Sequence, residues 1–256
     1  MLLTFFFTFT FAIMFLALIQ NYAQAGVTPL VSTYVLSDLD KADVHSSMYH
    51  EIVPNFWVEQ HVEFDFYTDS SFQKYLNTDH PFTDDSYIPT DLIPIDSNFT
   101  ANNSKAFKLR EEASLHFADM AWNFRNAFSW DRLYISSAYR SRGFQDYLIK
   151  QWCSLLKCAK IGTSEHQAGL AVDIKVISKW GKSYSLDNNG NPNKYYDWLK
   201  ANAADFGFHN TYQKWVEVDG KIVEWWHRRY VWTELATVLS ENNQTFAEYY
   251  NSMNNE

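Results

Sequence analysis

The amino-acid sequence predicts an α+β fold, in which helices are grouped around an antiparallel sheet. Segments with apolar residues at helical spacing alternate along the chain with short runs rich in β-branched residues. An Asp219-Gly220 turn signal between residues 212–218 and 221–226 predicts a hairpin, which makes the sheet antiparallel. The sequence contains no internal repeat and no low-complexity tract. These observations predict one compact domain after a less regular segment.

A strand and a long helix are the first predicted elements. Residues 56–66 alternate apolar and polar side chains, which is typical of a half-buried strand. Residues 105–128 place apolar side chains along one face, at the period of an amphipathic helix. A strand over residues 133–137 and a helix over residues 143–155 are expected next.

The second half of the chain continues this alternation. Residues 170–176 are apolar and β-branched, and they predict a largely buried strand. Residues 195–206 predict a helix that ends at Gly207. After the hairpin, helices are expected over residues 233–239 and 245–250, and the second of these begins with a Thr-x-x-Glu capping box.

Two short segments carry residues suited to a catalytic metal site. His166 precedes the predicted buried strand and Asp173 lies within it. A carboxylate in such a strand is costly unless it is paired or bound to a metal, and the alternative for Asp173 is a hydrogen bond to backbone. The second segment contains Glu224 and His227. Two imidazoles, a carboxylate and a spare glutamate are what a catalytic zinc and its general base require, so the sequence favours an enzyme.

The spacing of Glu224 and His227 sets a geometric condition. Residues three apart on a regular strand face opposite sides of the sheet. The strand must therefore bend or end near Trp225-Trp226 if both side chains are to face one metal site.

These motifs resemble those of the VanY-type D-alanyl-D-alanine carboxypeptidases. The matching strings are SxHxxGxAxD at 164–173 and ExWH at 224–227, followed by an arginine-tyrosine pair. The resemblance extends upstream to Ser137-Ala138-Tyr139-Arg140-Ser141 with Gln145, and to residues 87–92, so that it covers residues 85 to 250. The family belongs to a group of zinc peptidases that includes the D-Ala-D-Ala dipeptidases and, by fold, the Hedgehog signalling domain. The resemblance therefore implies an antiparallel sheet that carries a zinc site and is flanked by helices.

The resemblance also implies a role for each matching residue. It makes His166, Asp173 and His227 the zinc ligands and Glu224 the catalytic base. Arg140 matches the arginine that contacts substrate and stabilises the oxyanion, whereas the alternative for it is a structural or surface ion pair. The implied substrate-binding positions are Ser137, Tyr139, Gln145 and Ser164. One departure is Trp225, which stands where relatives usually carry proline.

The implied activity is removal of the terminal D-alanine from peptidoglycan stem peptides by a zinc carboxypeptidase. Two alternatives stay open at this point: an L,D-carboxypeptidase that acts on tetrapeptide stems, and a non-catalytic zinc protein that binds the cell wall. The catalytic domain is expected over residues 105–256, with residues 26–104 as an irregular N-terminal extension packed on it.

The start of the chain predicts export. Residues 2–19 are almost wholly apolar, and Ala23-Gln24-Ala25 has the small-x-small pattern of a signal-peptide cleavage site. We therefore expect residues 1–25 to be a signal peptide and the protein to reach the periplasm or cell envelope, or to be secreted. The alternative is an uncleaved membrane anchor, since the apolar run is near spanning length.

Charge and cysteine content bear on partners and on redox state. A net charge of −9 argues against a nucleic-acid partner. Cys153 and Cys158 are the only cysteines, and in an oxidising compartment they could form a disulfide. The bridge requires the helix over residues 143–155 to end near Leu155, because the two side chains would point in different directions on a continuous helix.

Overall fold

A computed structural model describes residues 63–100, 107–151, 153–187 and 193–254 of the chain. All of them lie in one compact unit. The predicted strand over residues 56–66 lies partly outside the described residues, and its last part, residues 63–66, does not form a strand.

The main sheet is antiparallel and has five strands. In chain order these are β3 (Arg132–Ser137), β4 (Ala171–Ile177), β5 (Ser183–Tyr184), β6 (Phe208–His209) and β7 (His227–Tyr230), and a separate pair is formed by β1 (Leu92–Pro94) and β2 (Lys108–Arg110). The spatial order is β3-β4-β7-β6, with β5 paired to the far end of β4. The central strand β4 thus lies between β3 and β7.

The described helices surround this sheet. They are α1 (Glu111–Ala127), α2 (Arg142–Lys150), α3 (Lys194–Asn202), α4 (Val216–Asp219), α5 (Thr233–Glu241) and α6 (Phe246–Met253), with 3-10 turns at Ser97–Phe99 and Ala203–Phe206. The capping box predicted for the last helix is present, with the Thr245 hydroxyl and the Glu248 carboxylate each accepting the other residue's backbone N–H. The α+β class predicted from the sequence is confirmed.

The core forms because one face of α1 packs on the buried strands. Its fully buried side chains include Phe117, Met120 and Phe124, which join Leu133 and Ile135 of β3 in one apolar cluster. The spacing of these residues is what predicted an amphipathic helix, but the helix begins later than predicted. Residues 108–110, which the predicted helix over residues 105–128 included, instead form β2 and pair with β1.

Residues 63–100 pack against the loop that carries the SxHxxGxAxD motif. The backbone N–H of Phe82 donates to the Gly162 carbonyl at 2.7 Å, and the Gln167 amide donates to the Asp85 carbonyl at 2.8 Å. Gly169 has φ +67°, and a Cβ there would lie 2.7 Å from Leu92 of β1. Only glycine allows β1 to approach the motif this closely.

The predicted hairpin around Asp219-Gly220 is wrong. Residues 216–219 form the short helix α4, and Gly220, at φ +70°, ends it with its N–H bonded to the Val216 carbonyl. The buried Asp219 carboxylate accepts the Lys214 backbone N–H at 2.7 Å, which stabilises this turn rather than a two-residue hairpin loop. Residues 221–226 are not a strand. The actual strand, β7, begins at His227 and pairs with β4 and β6.

The predicted Cys153–Cys158 disulfide is present. Helix α2 ends at Lys150, earlier than expected, so the bridge closes a loop outside the helix. In the described part of the chain, every helix is too short or too polar to span a lipid bilayer.

Candidate metal centre

The sheet register brings two of the three predicted metal ligands together. Asp173 of β4 and His227 of β7 are direct partners across these adjacent strands. Side chains directly opposite each other in an antiparallel pair lie on the same face, close enough to interact. His166 reaches the same face from the loop before β4. This loop is fixed by a hydrogen bond from the Arg140 N–H to the His166 carbonyl at 3.1 Å.

The three side chains form a compact cluster. The Asp173 Oδ1 atom lies 3.4 Å from His166 Nε2 and 3.3 Å from His227 Nδ1. One ligand atom from each residue lies within 4.8 Å of the others, and among the described residues this is the group of histidine, cysteine and acidic side chains placed to hold a metal ion. The structure therefore brings together the three residues that the sequence motifs selected.

Each imidazole has one nitrogen bonded to the protein and one facing the cluster. His166 Nδ1 donates to the Ala138 carbonyl at 2.8 Å, and its Nε2 atom is buried without a hydrogen-bond partner. His227 Nε2 donates to Glu165 at 2.7 Å, which leaves Nδ1 toward Asp173. Metal-binding histidines usually donate their second N–H to a carbonyl or carboxylate in this way. The donor set fits a divalent metal such as zinc.

Protonation in this cluster is uneven. Burial lowers the pKa of His166 to about 4, with Arg140 adding to the effect. Burial also opposes charging of His227, but the hydrogen bonds that His227 donates to Asp173 and Glu165 outweigh it and raise the pKa of His227 to about 9. The pKa of Asp173 lies well below its ordinary value, because interactions with both histidines exceed the cost of burial. Without metal, His227 is therefore the protonated imidazole.

Glu165 and Arg229 support the site from behind His227, and the sequence had assigned no role to either. Glu165 is buried and bridges His227 to Arg229, whose Nη1 donates to the second carboxylate oxygen at 2.8 Å. Burial alone would raise the pKa of Glu165, yet Arg229 and His227 lower it to about 2. A signal existed in the sequence, since Glu165 directly precedes His166 and Arg229 belongs to the arginine-tyrosine pair of the motif.

Glu224 faces the same site because the chain turns at Trp225-Trp226. The His227 N–H donates to the Glu224 carbonyl at 3.1 Å, and this turn brings a Glu224 carboxylate oxygen to 3.9 Å from His227 Nδ1. The condition set by the three-residue spacing is thus met. Arg228 holds this turn, since its Nη1 donates to the carbonyls of Trp225 and His227 at 3.1 and 2.7 Å. Burial raises the pKa of Glu224 to about 7 even though His227 opposes this.

Arg140 extends from the loop after β3 to the edge of the group of metal-ligand side chains. Its Nη2 lies 3.7 Å from Asp173 Oδ2, its Nε is buried without a partner, and burial lowers its pKa. The geometry therefore allows both predicted roles of Arg140. It forms an ion pair with Asp173, and its Nε is still free to contact a substrate.

A small cavity of about 20 Å³ opens beside the cluster. The residues lining it are Arg140, Lys157, Ala159, Ser164, Glu165, His166, Tyr212, Lys221, Glu224 and His227. Of the predicted substrate-binding residues, Ser164 is in this set. Gln145 is fully buried and donates to the Ala159 carbonyl at 2.7 Å, and Ser137 and Tyr139 are half-buried near the end of β3 without lining the cavity. Lys157, Tyr212 and Lys221 also line the cavity but were not predicted to do so. The predicted hairpin, which is wrong, had placed Tyr212 and Lys221 on two regular strands.

The family model for VanY, D-alanyl-D-alanine carboxypeptidase, matches residues 106–233, which is half of the chain. A D-alanyl-D-alanine carboxypeptidase of Enterococcus faecalis is 39% identical over 92 residues, covering 36% of this chain and 31% of that protein. The putative carboxypeptidase YodJ of Bacillus subtilis is 30% identical over 177 residues, covering 64% of this chain and 62% of that protein. The chain thus spans less than two thirds of the length of these curated relatives.

Solved structures show the same architecture. The LdcB LD-carboxypeptidase superposes with a TM-score of 0.62 at 25% identity, covering 72% of this chain and 87% of that one. VanYB in complex with D-alanine-D-alanine gives a TM-score of 0.53 at 25% identity, covering 69% and 96%. A mutant of the vancomycin-resistance D,D-pentapeptidase VanY in complex with Zn(II) gives 0.55 at 24% identity, covering 71% and 99%, and shows likeness of fold.

Proposed function

Because the chain belongs to the VanY family of D-alanyl-D-alanine carboxypeptidases, we propose that it is a zinc-dependent peptidase that removes the terminal D-alanine from peptidoglycan stem peptides. The observation that carries this proposal is the cluster of His166, Asp173 and His227 with Glu224 beside it. A zinc site that only stabilises a fold has no need of a free, buried carboxylate at its edge.

His166, Asp173 and His227 would hold the zinc ion through the two inward-facing imidazole nitrogens and a carboxylate oxygen. When bound, zinc lowers the pKa of water in its open position and polarises the substrate carbonyl. Glu165 fixes the orientation of His227, and the Ala138 carbonyl fixes that of His166. The two imidazoles are thereby presented to the metal without rearrangement.

Glu224 would act as the general base and then as the general acid. It accepts a proton from the attacking water and delivers it to the departing amine of D-alanine. A pKa raised by burial to about 7 suits both steps near neutral pH. The turn held by Arg228 keeps the carboxylate on the face of the metal ligands.

Arg140 would stabilise the negative charge that develops on the substrate carbonyl oxygen. Its buried, unpartnered Nε and its place beside Asp173 put a donor at the edge of the cluster. A preorganised donor to an oxyanion contributes about 3 to 4 kcal/mol in related hydrolytic chemistry. Ser164 lines the same cavity and would contact the substrate, whereas the placement of Gln145 suits support of the wall around Ala159.

An L,D-carboxypeptidase remains the second candidate, since the fold is also that of the LdcB LD-carboxypeptidase. The test is incubation of the zinc-loaded protein with pentapeptide and tetrapeptide stems, with the products read by mass. Release of D-alanine from the pentapeptide is the expected result. Cleavage of the tetrapeptide alone would establish the second candidate, and binding of stems without cleavage would establish a non-catalytic wall-binding protein.

We also propose that the protein acts outside the cytoplasm, in the periplasm, cell envelope or medium. The apolar segment and cleavage pattern of residues 1–25 support export, although they lie outside the described residues. A disulfide between the two cysteines supports an oxidising compartment. If the segment is not cleaved, it would anchor the protein to the membrane.

A further inference from the structure

Two lysines line the cavity beside the metal-ligand side chains, and neither has a role in the proposed reaction. Lys157 and Lys221 both contribute to the wall. Within the described residues, neither ammonium group lies within ion-pair distance of a carboxylate. They therefore add positive charge that is not in an ion pair, although the Glu224 carboxylate of the same cavity interacts with Lys221 at longer range.

Lys221 is held in place by the disulfide loop. Its Nζ donates to the carbonyls of Leu155 and Cys158 at 2.6 and 3.0 Å. The next residue is anchored to the same loop, since the Ile222 N–H donates to the Leu156 carbonyl at 3.0 Å. The bridge from Cys153 to Cys158 closes this loop. An ammonium group has three N–H donors, so that one of them is left for a ligand.

A carboxypeptidase must distinguish a free C-terminus from an internal peptide bond. The terminal carboxylate carbon is one residue beyond the scissile carbonyl carbon, roughly 3.5 Å away by backbone dimensions. A cation other than Arg140 is therefore suited to bind this terminal carboxylate. Arg140 is beside the metal ligands, 3.7 Å from Asp173. Lys157 is exposed and has no fixed partner among the described residues, so its ammonium is poorly preorganised.

We propose that Lys221, fixed by the loop that the Cys153–Cys158 disulfide closes, binds the C-terminal carboxylate of the peptide substrate. This inference rests on the proposed carboxypeptidase function and adds the residue that selects a free C-terminus. The two carbonyls that Lys221 contacts orient its ammonium without neutralising it, because a carbonyl carries no net charge. A substrate carboxylate would supply the ion-pair partner that Lys221 lacks at close range.

The first test compares paired substrates, an acyl-D-alanyl-D-alanine acid and the same peptide with a C-terminal carboxamide. In Lys221→Met, kcat/KM for the acid should fall by about 10- to 100-fold, the usual contribution of a charge-assisted hydrogen bond, and mainly through KM. The rate with the carboxamide should fall much less, since any effect of Lys221 on the base Glu224 applies equally to both substrates and cancels in the ratio of acid to carboxamide. Lys182→Met, which removes an exposed lysine beside β5, is the matched control and should leave both rates unchanged.

The second test measures binding rather than turnover. Calorimetry on the zinc-loaded Glu224→Gln protein should show tighter binding of the acid than of the carboxamide. Adding Lys221→Met should remove that preference while zinc content stays the same; the melting temperature should fall modestly, because the Leu155 and Cys158 carbonyls lose their donor. Lys221→Gln covers the case in which the methionine variant does not fold. Reduction of the disulfide should weaken binding of the acid more than binding of the carboxamide.

The outcomes separate this inference from the function on which it rests. An unchanged acid-over-amide preference in both Lys221 variants would overturn the role of Lys221 even if the parent cleaves the peptide. A preference lost in Lys157→Met instead would assign the carboxylate to Lys157. If the parent cleaves no peptide but its preference for the acid depends on Lys221, the carboxypeptidase proposal fails and carboxylate recognition by Lys221 stands.

Discussion

Replacing Glu165 by Gln tests how strongly the site depends on a residue that is neither ligand nor base. Glu165 is buried between His227 and Arg229, at 2.7 and 2.8 Å. Glutamine keeps the size and one acceptor oxygen but removes the charge. The buried guanidinium of Arg229 then loses its counter-ion, and His227 loses the carboxylate that orients it.

The magnitude follows from the pKa of the carboxyl. Despite the cost of burial, Arg229 and His227 lower the pKa of Glu165 from 4.5 to about 2. At about 1.4 kcal/mol for each pKa unit, the ionised form stabilises the folded protein by about 3 kcal/mol. Because the pKa is depressed, this contribution is present above pH 4.5 and is lost as the pH falls toward 2. At pH 7 the substitution should therefore remove all of it.

Two measurements on the variant follow. Denaturant unfolding of the zinc-free protein at pH 7 should show a loss of about 3 kcal/mol in the free energy of unfolding. Competition with a chromophoric chelator should show zinc affinity weakened by about 10- to 100-fold, the usual effect of losing a carboxylate that supports a ligand histidine. Glu224→Gln is the matched control: it should not lower the free energy of unfolding, because burial already disfavours the ionised form of Glu224, and it should leave zinc affinity close to that of the parent. A Glu165→Gln protein with parental stability and zinc affinity would refute the supporting role of this carboxylate.

Three further predictions concern the metal, the base and the backbone. Glu224→Gln should retain zinc while turnover falls by about 10² to 10⁴-fold, whereas His227→Ala should lose zinc and activity together; parental turnover in the first variant would exclude Glu224 as the base. In Glu224→Gln, zinc affinity should rise about 10-fold per pH unit from pH 6 to 8, because zinc must displace the proton of His227, whose metal-free pKa is about 9; a pH-independent affinity in a chelator competition would contradict this. Gly207→Ala should lower the free energy of unfolding by about 2 to 4 kcal/mol, since φ is +75° and a Cβ would lie 2.5 Å from the Tyr230 ring. Gly220→Ala, at φ +70° with open space around it, should cost only about 1 kcal/mol, and equal losses in the two variants would show that the contact with Tyr230 is unimportant.

The parts of the fold that could be predicted are those in which local pattern and burial agree. The apolar run at residues 170–176 forms β4, and the helical spacing from Ala113 to Phe124 lies within α1. The predicted hairpin failed because Asp219-Gly220 is compatible with two structures. A hairpin turn and the end of a short helix both accept glycine at positive φ, and the choice depends on the long-range pairing of β7 with β4.

The group of metal-ligand residues was predictable for a different reason. Its members lie in two short motifs whose chemistry is specific, so that their proximity could be inferred before the strand pairing was known. The residues behind and around it were harder to find. Glu165 is directed to His227, and Lys221 to the disulfide loop, by contacts between segments more than 60 residues apart. No local periodicity in the sequence encodes such contacts.

The segment over residues 82–94, which includes β1, packs against the loop that carries the SxHxxGxAxD motif, so we expect the two to fold together. Residues 82–94 contribute no metal ligand, yet they hydrogen-bond to Gly162 and Gln167 and pack against Gly169, on both sides of His166. The family match begins only at residue 106 and does not include this segment. The start of the family-model match and the start of what must fold together are therefore different places in the chain. A truncated protein starting at residue 106 would contain every metal ligand but not the segment that holds the first of them in position.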